Sequence, residues 1–369
     1  MAEPIGVAQV VHSLEIGGME RVALNLALGL PREKWRSLIV CLTVEGEFAE
    51  LAREQGVDVI ALGKQPGVDL RLPGRLARLL REEGIRLVHG HNSGPWFTGT
   101  LAARRLGLPM VVTDHSRPYP EKPRIQKIER FLSRWARIVS VSAHNKQDMV
   151  KFLRIPADKI DVIPNGVQPV APVSADRRAA LRDELGLAED DTVFLSVARL
   201  ERQKGFDVLL EAVRIAKQQG ITSKFVVVGF GSEGSFLASQ IREYDLTDTV
   251  ILAGKRMNVG QFYGMADAFF LASRWEGLPM ALLEAMSAGL PVVSTGVGDI
   301  PAAVTDGTEA LLVPSEDPAA LAAAFASLAS AEARERREAM GSAGRARFDA
   351  EYSMDVMVRR YAELYEELI

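Results

Sequence analysis

The chain has 369 residues, 47% of them hydrophobic and 25% charged, ordinary values for a folded globular protein that exclude an intrinsically disordered one. The length suits two domains better than a single core. Net charge is −4, yet residues 1–170 hold 24 Lys and Arg against 18 Asp and Glu while the remainder holds 20 against 30. The basic first half suggests an anionic partner or surface, with solvated charged faces as the alternative.

Short β-branched runs alternate with segments of helical period, the pattern of parallel sheets covered by helices. In the first half strands are predicted at 5–12, 37–43, 57–61, 86–90, 109–113, 137–141 and 160–163, with helices at 18–30, 46–54, 72–82 and 124–135 among those between them. The lone Cys41 lies in the strand-like run SLIVCLTV and leaves no intrachain disulfide or cysteine metal cluster. Around 164–190 the alternation breaks into a Pro- and Ala-rich stretch that reads as a linker followed by the first helix of a second unit. Strands then resume in TVFLSVARL, KFVVVGF, TVILAGK, AFFLAS, LPVVSTG and ALLVP, each followed by a helix-forming segment. Two doubly wound α/β domains in series follow, and ligands of such sheets bind beyond the carboxyl ends of the strands. The last segment places Met354, Met357, Tyr361, Leu364 and Leu368 at helical spacing, an amphipathic helix with a face to bury. The start of the sequence shows no charged-then-apolar signal pattern and no apolar run reaches about 18 residues, so a cytoplasmic protein is expected, with peripheral membrane contact left open.

Several strand-end loops carry candidate ligand groups. Gly229, Gly231 and Gly234 spell GxGxxG, but the next strand ends in Lys255 and Arg256 where a nicotinamide site wants an acidic residue, so a dinucleotide is disfavoured. Arg199 and Lys204 stand five residues apart after TVFLSV, suited to clamping a diphosphate; two exposed loop cations are the bland alternative. In WEGLPMALLEAM, Pro279 suits the first helical position and leaves the amides of Met280 and Ala281 free at a helix N-terminus, an anion site. Glu276 and Glu284 flank it. Carboxylates beside an anion cradle accept hydroxyls, and together they fit a nucleoside diphosphate sugar; an ordinary amphipathic helix is the alternative for Glu284. A metal site fits poorly, since no histidine follows His144. His12, His89, His91 and His115 end or follow strands of the first half and outline a polar site, and Gly17 and Gly18 precede a helix where backbone amides can approach phosphate.

These residues together resemble the retaining glycosyltransferases of family 4. GGMER, VHGHNSG, TDHS, VSVS, VIPNGV, SVARLERQKG, VVVGFGSEG, EGLPMALLEAM and the DG…LLVP segment occur in the family's order over nearly the whole chain. The resemblance implies the GT-B fold: a Rossmann-like acceptor domain at 1–168, a donor domain at 169–348 facing it across a cleft, and a C-terminal helix at 349–369 crossing back onto the first. It implies that Arg199 and Lys204 bind the donor diphosphate, that Glu284 takes the ribose hydroxyls, and that Glu276, with the amides of Gly277 and Leu278, holds the transferred hexose. Arg256 would meet the base mainly through its backbone, Gly18 would lie against the phosphates, and His115 would hydrogen-bond the hexose. Pro279 departs from the commoner Glu-x-Phe-Gly spelling and removes one amide.

The expected reaction is hexosyl transfer with retention from a UDP- or GDP-sugar to a glycan or lipid-linked acceptor in cell-surface polysaccharide or glycolipid synthesis. No metal and no cofactor beyond the co-substrate are expected, and no nucleic acid. The alternatives are a sugar-nucleotide epimerase of the same fold and a silent binding protein. Arg124, Lys127, Arg130, Arg134 and Arg137 recur at helical spacing, a face that could meet an anionic membrane or, equally, water.

Overall fold

The computed structural model describes residues 3–115 and 122–369. Ser116, the last residue of the TDHS motif, lies outside the described residues. The chain forms two compact units, the first of Met1–Val167 with Met354–Ile369, the second of Gln168–Ser353.

The first unit is built on seven strands: β1 Ile5–Val11, β2 Trp35–Cys41, β3 Asp58–Ala61, β4 Ile85–His91, β5 Met110–Asp114, β6 Arg137–Ser140 and β7 Ile160–Val162. They pair in parallel in the order β3-β2-β1-β4-β5-β6-β7. Because helices cover both faces, the strands are apolar almost throughout. Ala8 and Val10 face a layer with Leu76, Leu80 and Trp96, while Val11 faces the other with Leu24 and Ala27. The order reverses between β1 and β4, which puts the loops after those strands at the sheet's switch point.

The second unit repeats the plan with β8 Val193–Val197, β9 Lys224–Val228, β10 Val250–Gly254, β11 Ala268–Leu271, β12 Val292–Thr295 and β13 Ala310–Val313, ordered β10-β9-β8-β11-β12-β13. Phe194, Phe225, Phe270 and Phe325 interlock in its core with ring centroids 4.8–6.0 Å apart. Its switch point lies between β8 and β11. The first helix, Ala175–Glu184, starts where Ser174 Oγ accepts the Arg177 amide at 3.3 Å, so the predicted linker is short.

The helix Met354–Glu366 belongs to the first unit, while Phe348–Tyr352, a single π turn, stays with the second. The returning segment therefore begins five residues later than the expected 349. Its buried stripe of Met357, Tyr361, Leu364 and Tyr365 packs at the middle strands of the sheet: Tyr365 meets Trp35 of β2 edge-on at 5.7 Å, and Val358 fills the space left by the missing side chain of Gly29.

The predicted basic face is shorter than expected. The helix ends at Leu132, and Arg137 lies in β6, where its guanidinium pairs with Asp161 at 2.5 Å. Arg124, Lys127 and Arg130 remain exposed on the helix, beside Ile128 and Phe131 at 44% and 52% exposure.

Candidate functional site

At the switch point of the second unit, the loops after β8 and β11 are tied to each other. Arg274 donates to Asp207 at 2.8 and 2.9 Å, to the Arg202 carbonyl at 2.7 Å and to Glu316, while its own amide donates to the Gln203 carbonyl at 2.8 Å. The guanidinium in turn holds the Asp207 carboxyl below the usual range. This strap fixes the segment that carries Lys204 against the segment that carries Glu276.

Lys204 Nζ donates to Glu276 Oε1 at 2.6 Å, and Ser273 Oγ donates to the same oxygen at 2.6 Å. The two charged side chains are 16% and 6% exposed, a half-sheltered pair and not a surface one. The expectation assigned Lys204 to a diphosphate and Glu276 to a sugar; without ligand, each is the other's counter-ion. Arg199 is different. Its side chain is 67% exposed and pairs only at short range with Glu201 at 2.8 Å, so it can swing to an arriving anion.

The glycine spelling after β9 has a structural explanation. A Cβ on Gly229 would lie 1.9 Å from the Ala198 carbonyl oxygen, and one on Gly231 would lie 2.4 Å from that of Leu200. Backbone meets backbone on either side of Arg199, with the Leu200 amide donating to the Phe230 carbonyl at 2.9 Å. The glycines seat the arginine loop. Gly298 does the same for the turn after Glu276: at φ +59, with its Cβ position 2.0 Å from the Glu276 carbonyl oxygen, only glycine fits, and the Asp299 amide then donates to the Gly277 carbonyl at 3.2 Å.

Pro279 corrects an expectation. It is the residue before the helix Met280–Ser287, with ψ 127, and not the first helical position. The pre-helical carbonyl of Pro279 takes the Leu282 amide at 3.1 Å. The amides of Met280 and Ala281, at the first two helical positions, still have no intrahelical acceptor and open the turn toward Gly277 and Leu278. Glu284 lies one turn in, where Oε2 accepts the phenol of Tyr263 at 2.7 Å. Tyr263 is buried, and burial with the adjacent carboxylate pushes its phenol well above its ordinary value, so it remains a donor. Arg256 sends its guanidinium to Glu184 at 2.7 Å and to the Ala253 carbonyl at 2.9 Å, away from any role by side chain.

In the first unit three of the four predicted histidines, His89, His91 and His115, converge, and they do so as a chain, while His12 stays exposed outside it. His115 Nε2 and His91 Nδ1 are 2.9 Å apart, His91 Nε2 and Gln9 Oε1 3.0 Å, Gln9 Nε2 and Tyr365 Oη 3.1 Å. Tyr365 Oη lies 2.6 Å from His89 Nδ1, whose Nε2 is 2.8 Å from Thr113 Oγ1, itself 2.8 Å from Tyr361 Oη. Burial drives His89 and His91 well below the usual histidine range and His115 down to about 4, so all three rings are neutral. Among the described residues no group of three His, Cys, Asp or Glu gathers around a point where a metal could sit. Gly17 and Gly18 begin the helix Gly18–Gly29 in ordinary extended and helical backbone, and the Glu20 carboxylate lies over Gly17.

Sequence reasoning missed Tyr263, Ser273, Gln9 and the two tyrosines. Gln9 gave a signal, being the one polar residue inside the apolar run of β1, and Tyr361 with Tyr365 are four apart on the stripe that packs.

Two doubly wound parallel sheets in one chain are the GT-B architecture, and the fold is shared with the solved structure of Anabaena Alr3699/HepE in complex with UDP, at a TM-score of 0.88 and 21% identity over 99% of this chain and 100% of that one. The sequence models of Glycosyltransferase Family 4 and of Glycosyl transferases group 1 match residues 16–170 and 177–347. The chain is 30% identical over 366 residues to the amylovoran biosynthesis glycosyltransferase AmsK of Erwinia amylovora, covering 95% of this chain and 83% of that protein. It is 29% identical over 308 residues to an Escherichia coli UDP-Gal:alpha-D-GlcNAc-diphosphoundecaprenol alpha-1,3-galactosyltransferase, covering 79% and 80%. The protein belongs to the group 1, family 4 glycosyltransferases.

Proposed function

We propose that the enzyme transfers a hexosyl unit, with retention, from a nucleoside diphosphate sugar to a glycan or lipid-linked acceptor in surface polysaccharide or glycolipid synthesis, and that the donor is a UDP-sugar in preference to a GDP-sugar. The observation that carries this reading is the clustering at one switch point of Arg199, Lys204, Glu276 and the helix start at Met280, with Glu284 one turn in. The relatives named for amylovoran synthesis and for galactosyl transfer to a diphosphoundecaprenol acceptor, and the UDP-bound neighbour, support the substrate classes.

On this reading the diphosphate's developing charge is met by Lys204 and the amides of Met280 and Ala281 at the helix start, and by Arg199 once it swings from Glu201. The phosphate then replaces Glu276 as the ammonium's partner, and the freed carboxylate, still hydrogen-bonded by Ser273, accepts from sugar hydroxyls, while the amides of Gly277 and Leu278 donate to hydroxyl oxygens. Glu276 is a holder of the hexose; the departing phosphate serves as base for front-face attack by the acceptor, and no metal is called for. Glu284, oriented by Tyr263, takes the ribose hydroxyls. In the first unit, taken by itself, Gly17 and Gly18 offer backbone amides to phosphate and His115 a ring nitrogen to a sugar hydroxyl.

A thermal-shift panel of UDP-, GDP- and ADP-sugars tests the donor: the largest stabilisation is expected with a UDP-hexose, and no shift with any of them would overturn the reading. In the same assay Tyr263→Phe should weaken the donor about tenfold, the loss of one hydrogen bond to a charged group; an unchanged titration would remove Tyr263 from the ribose site.

We further propose peripheral contact with anionic lipid through Arg124, Lys127 and Arg130, with Ile128 and Phe131 as shallow apolar anchors. No helix among the described residues is long and apolar enough to cross a membrane. Flotation with phosphatidylglycerol vesicles should recover the protein, and neutralising the three charges to Gln should cost roughly 100-fold in partition, at about 1 kcal/mol per basic residue. Absence of lipid-dependent flotation would end this proposal.

A further inference from the structure

Seven buried or half-buried side chains from β1, β4, β5, the residue that follows β5 and the C-terminal helix form one unbranched run of hydrogen bonds in the first unit: His115, His91, Gln9, Tyr365, His89, Thr113 and Tyr361. Each neutral imidazole has one N–H and one bare nitrogen, so in such a run the choice at one ring dictates the next. The amide of Gln9 sets the direction. Its Nε2 donates to Tyr365 Oη and its Oε1 can only accept, which requires the proton on His91 Nε2. His91 Nδ1 is then bare and must accept, which requires the proton on His115 Nε2. On the other side Tyr365, already accepting from Gln9, donates to His89 Nδ1, and His89 Nε2–H donates to Thr113.

His115 is thereby left with a bare Nδ1, and this nitrogen is enclosed and has no partner among the described residues. The opposite polarity would end the run on an unpaired N–H there. We propose that Gln9, His91 and Tyr365 are positioning residues that fix His115 as a hydrogen-bond acceptor at Nδ1, so that it receives a sugar hydroxyl and rejects groups that can only accept. The inference rests on the reading that His115 contacts a bound sugar, and it adds how that contact is polarised and which residues polarise it. It also gives the C-terminal helix a part in the site, since Tyr365 is the hydroxyl on which the glutamine amide is anchored.

The test is a long-range proton–nitrogen NMR spectrum of the full chain with labelled histidine, which reads the tautomer of each ring directly. His115, His91 and His89 should all carry their proton on Nε2 at neutral pH. In Tyr365→Phe the glutamine loses its anchor, so His115 should become a mixture of tautomers and kcat/KM for the donor should fall about tenfold; Gln9→Glu, which keeps an acceptor facing His91, should retain the Nε2 tautomer at His115. A proton on Nδ1 of His115 in the native protein overturns the proposal, as does a tautomer unmoved in Tyr365→Phe. The first reading needs no variant to fold. His115→Ala with undiminished turnover would instead remove the sugar contact and leave the tautomer result standing, so the two failures are distinguishable.

Discussion

Glu276→Ala and Lys204→Ala are each expected to lower kcat by about 10²–10³-fold, the range seen when one preorganised polar group facing developing charge is removed. The geometry makes the expectation specific. The two side chains are partners at 2.6 Å in a sheltered loop pair strapped by Arg274, so each single variant also leaves the other's charge without its counter-ion, at a stability cost of about 1–3 kcal/mol. Because they share one interaction, the double variant should lose less than the product of the single losses. Arg199→Ala should be as damaging to turnover, yet nearly silent in melting temperature, since its side chain is exposed and bonded only to its neighbour Glu201. Steady-state kinetics and melting curves on the four variants beside the native enzyme decide the matter. Turnover like that of the native enzyme in all three single variants would sink the assignment of this site.

The second large effect is acid sensitivity of the first unit. His89, His91 and His115 have folded values below the ordinary 6.5, the last at about 4, all chiefly through burial. In the unfolded chain they take up protons near pH 6.5, so between about 6.5 and 4 the unfolded state binds more protons. Stability is therefore complete above about pH 6.5 and falls as the pH drops through that window, by about 1.4 kcal/mol per pH unit for each proton taken up. Three coupled rings give up to about 4 kcal/mol per unit, a large share of a domain's usual 5–15 kcal/mol. The hydrogen-bond run supplies the cause in atomic terms: a proton added to His91 Nδ1 would face the N–H of His115 at 2.9 Å. Urea unfolding between pH 7.5 and 5 should show the midpoint sliding steadily downward, and a flat profile would contradict neutral buried rings.

Much of the fold was legible because buried parallel strands are written as continuous apolar runs. SLIVC, KFVVV and AFFL could be placed within two residues, and the switch-point loops followed from the alternation. The charged cluster was legible too, since Arg199, Lys204, Glu276 and Glu284 stand out by type and spacing, and the structure pairs Lys204 with Glu276 at the switch point of the second sheet. What escaped the sequence depends on distant segments meeting. No local pattern says that Tyr263 will point its phenol at Glu284, that Arg274 will join Asp207 to Glu316, or that Gly229 and Gly231 serve the backbone on either side of Arg199 and not a phosphate. Pro279 shows the limit at close range: its fixed φ is compatible with either side of a helix boundary, and its ψ, set by the turn against Gly298, placed it outside.

The return of Met354–Ile369 to the first unit has a consequence in time. Gln9, His89 and Thr113 are committed to the interior of a sheet whose remaining hydrogen-bond partners, Tyr361 and Tyr365, are encoded after the whole of 168–353. Their partners lie 248 to 356 residues further on, and at about 5–20 residues per second of synthesis those polar groups wait roughly 10–70 s. The second unit, contiguous in sequence, can close while the first is still missing its last helix. The half of the enzyme made first is thus the half finished last.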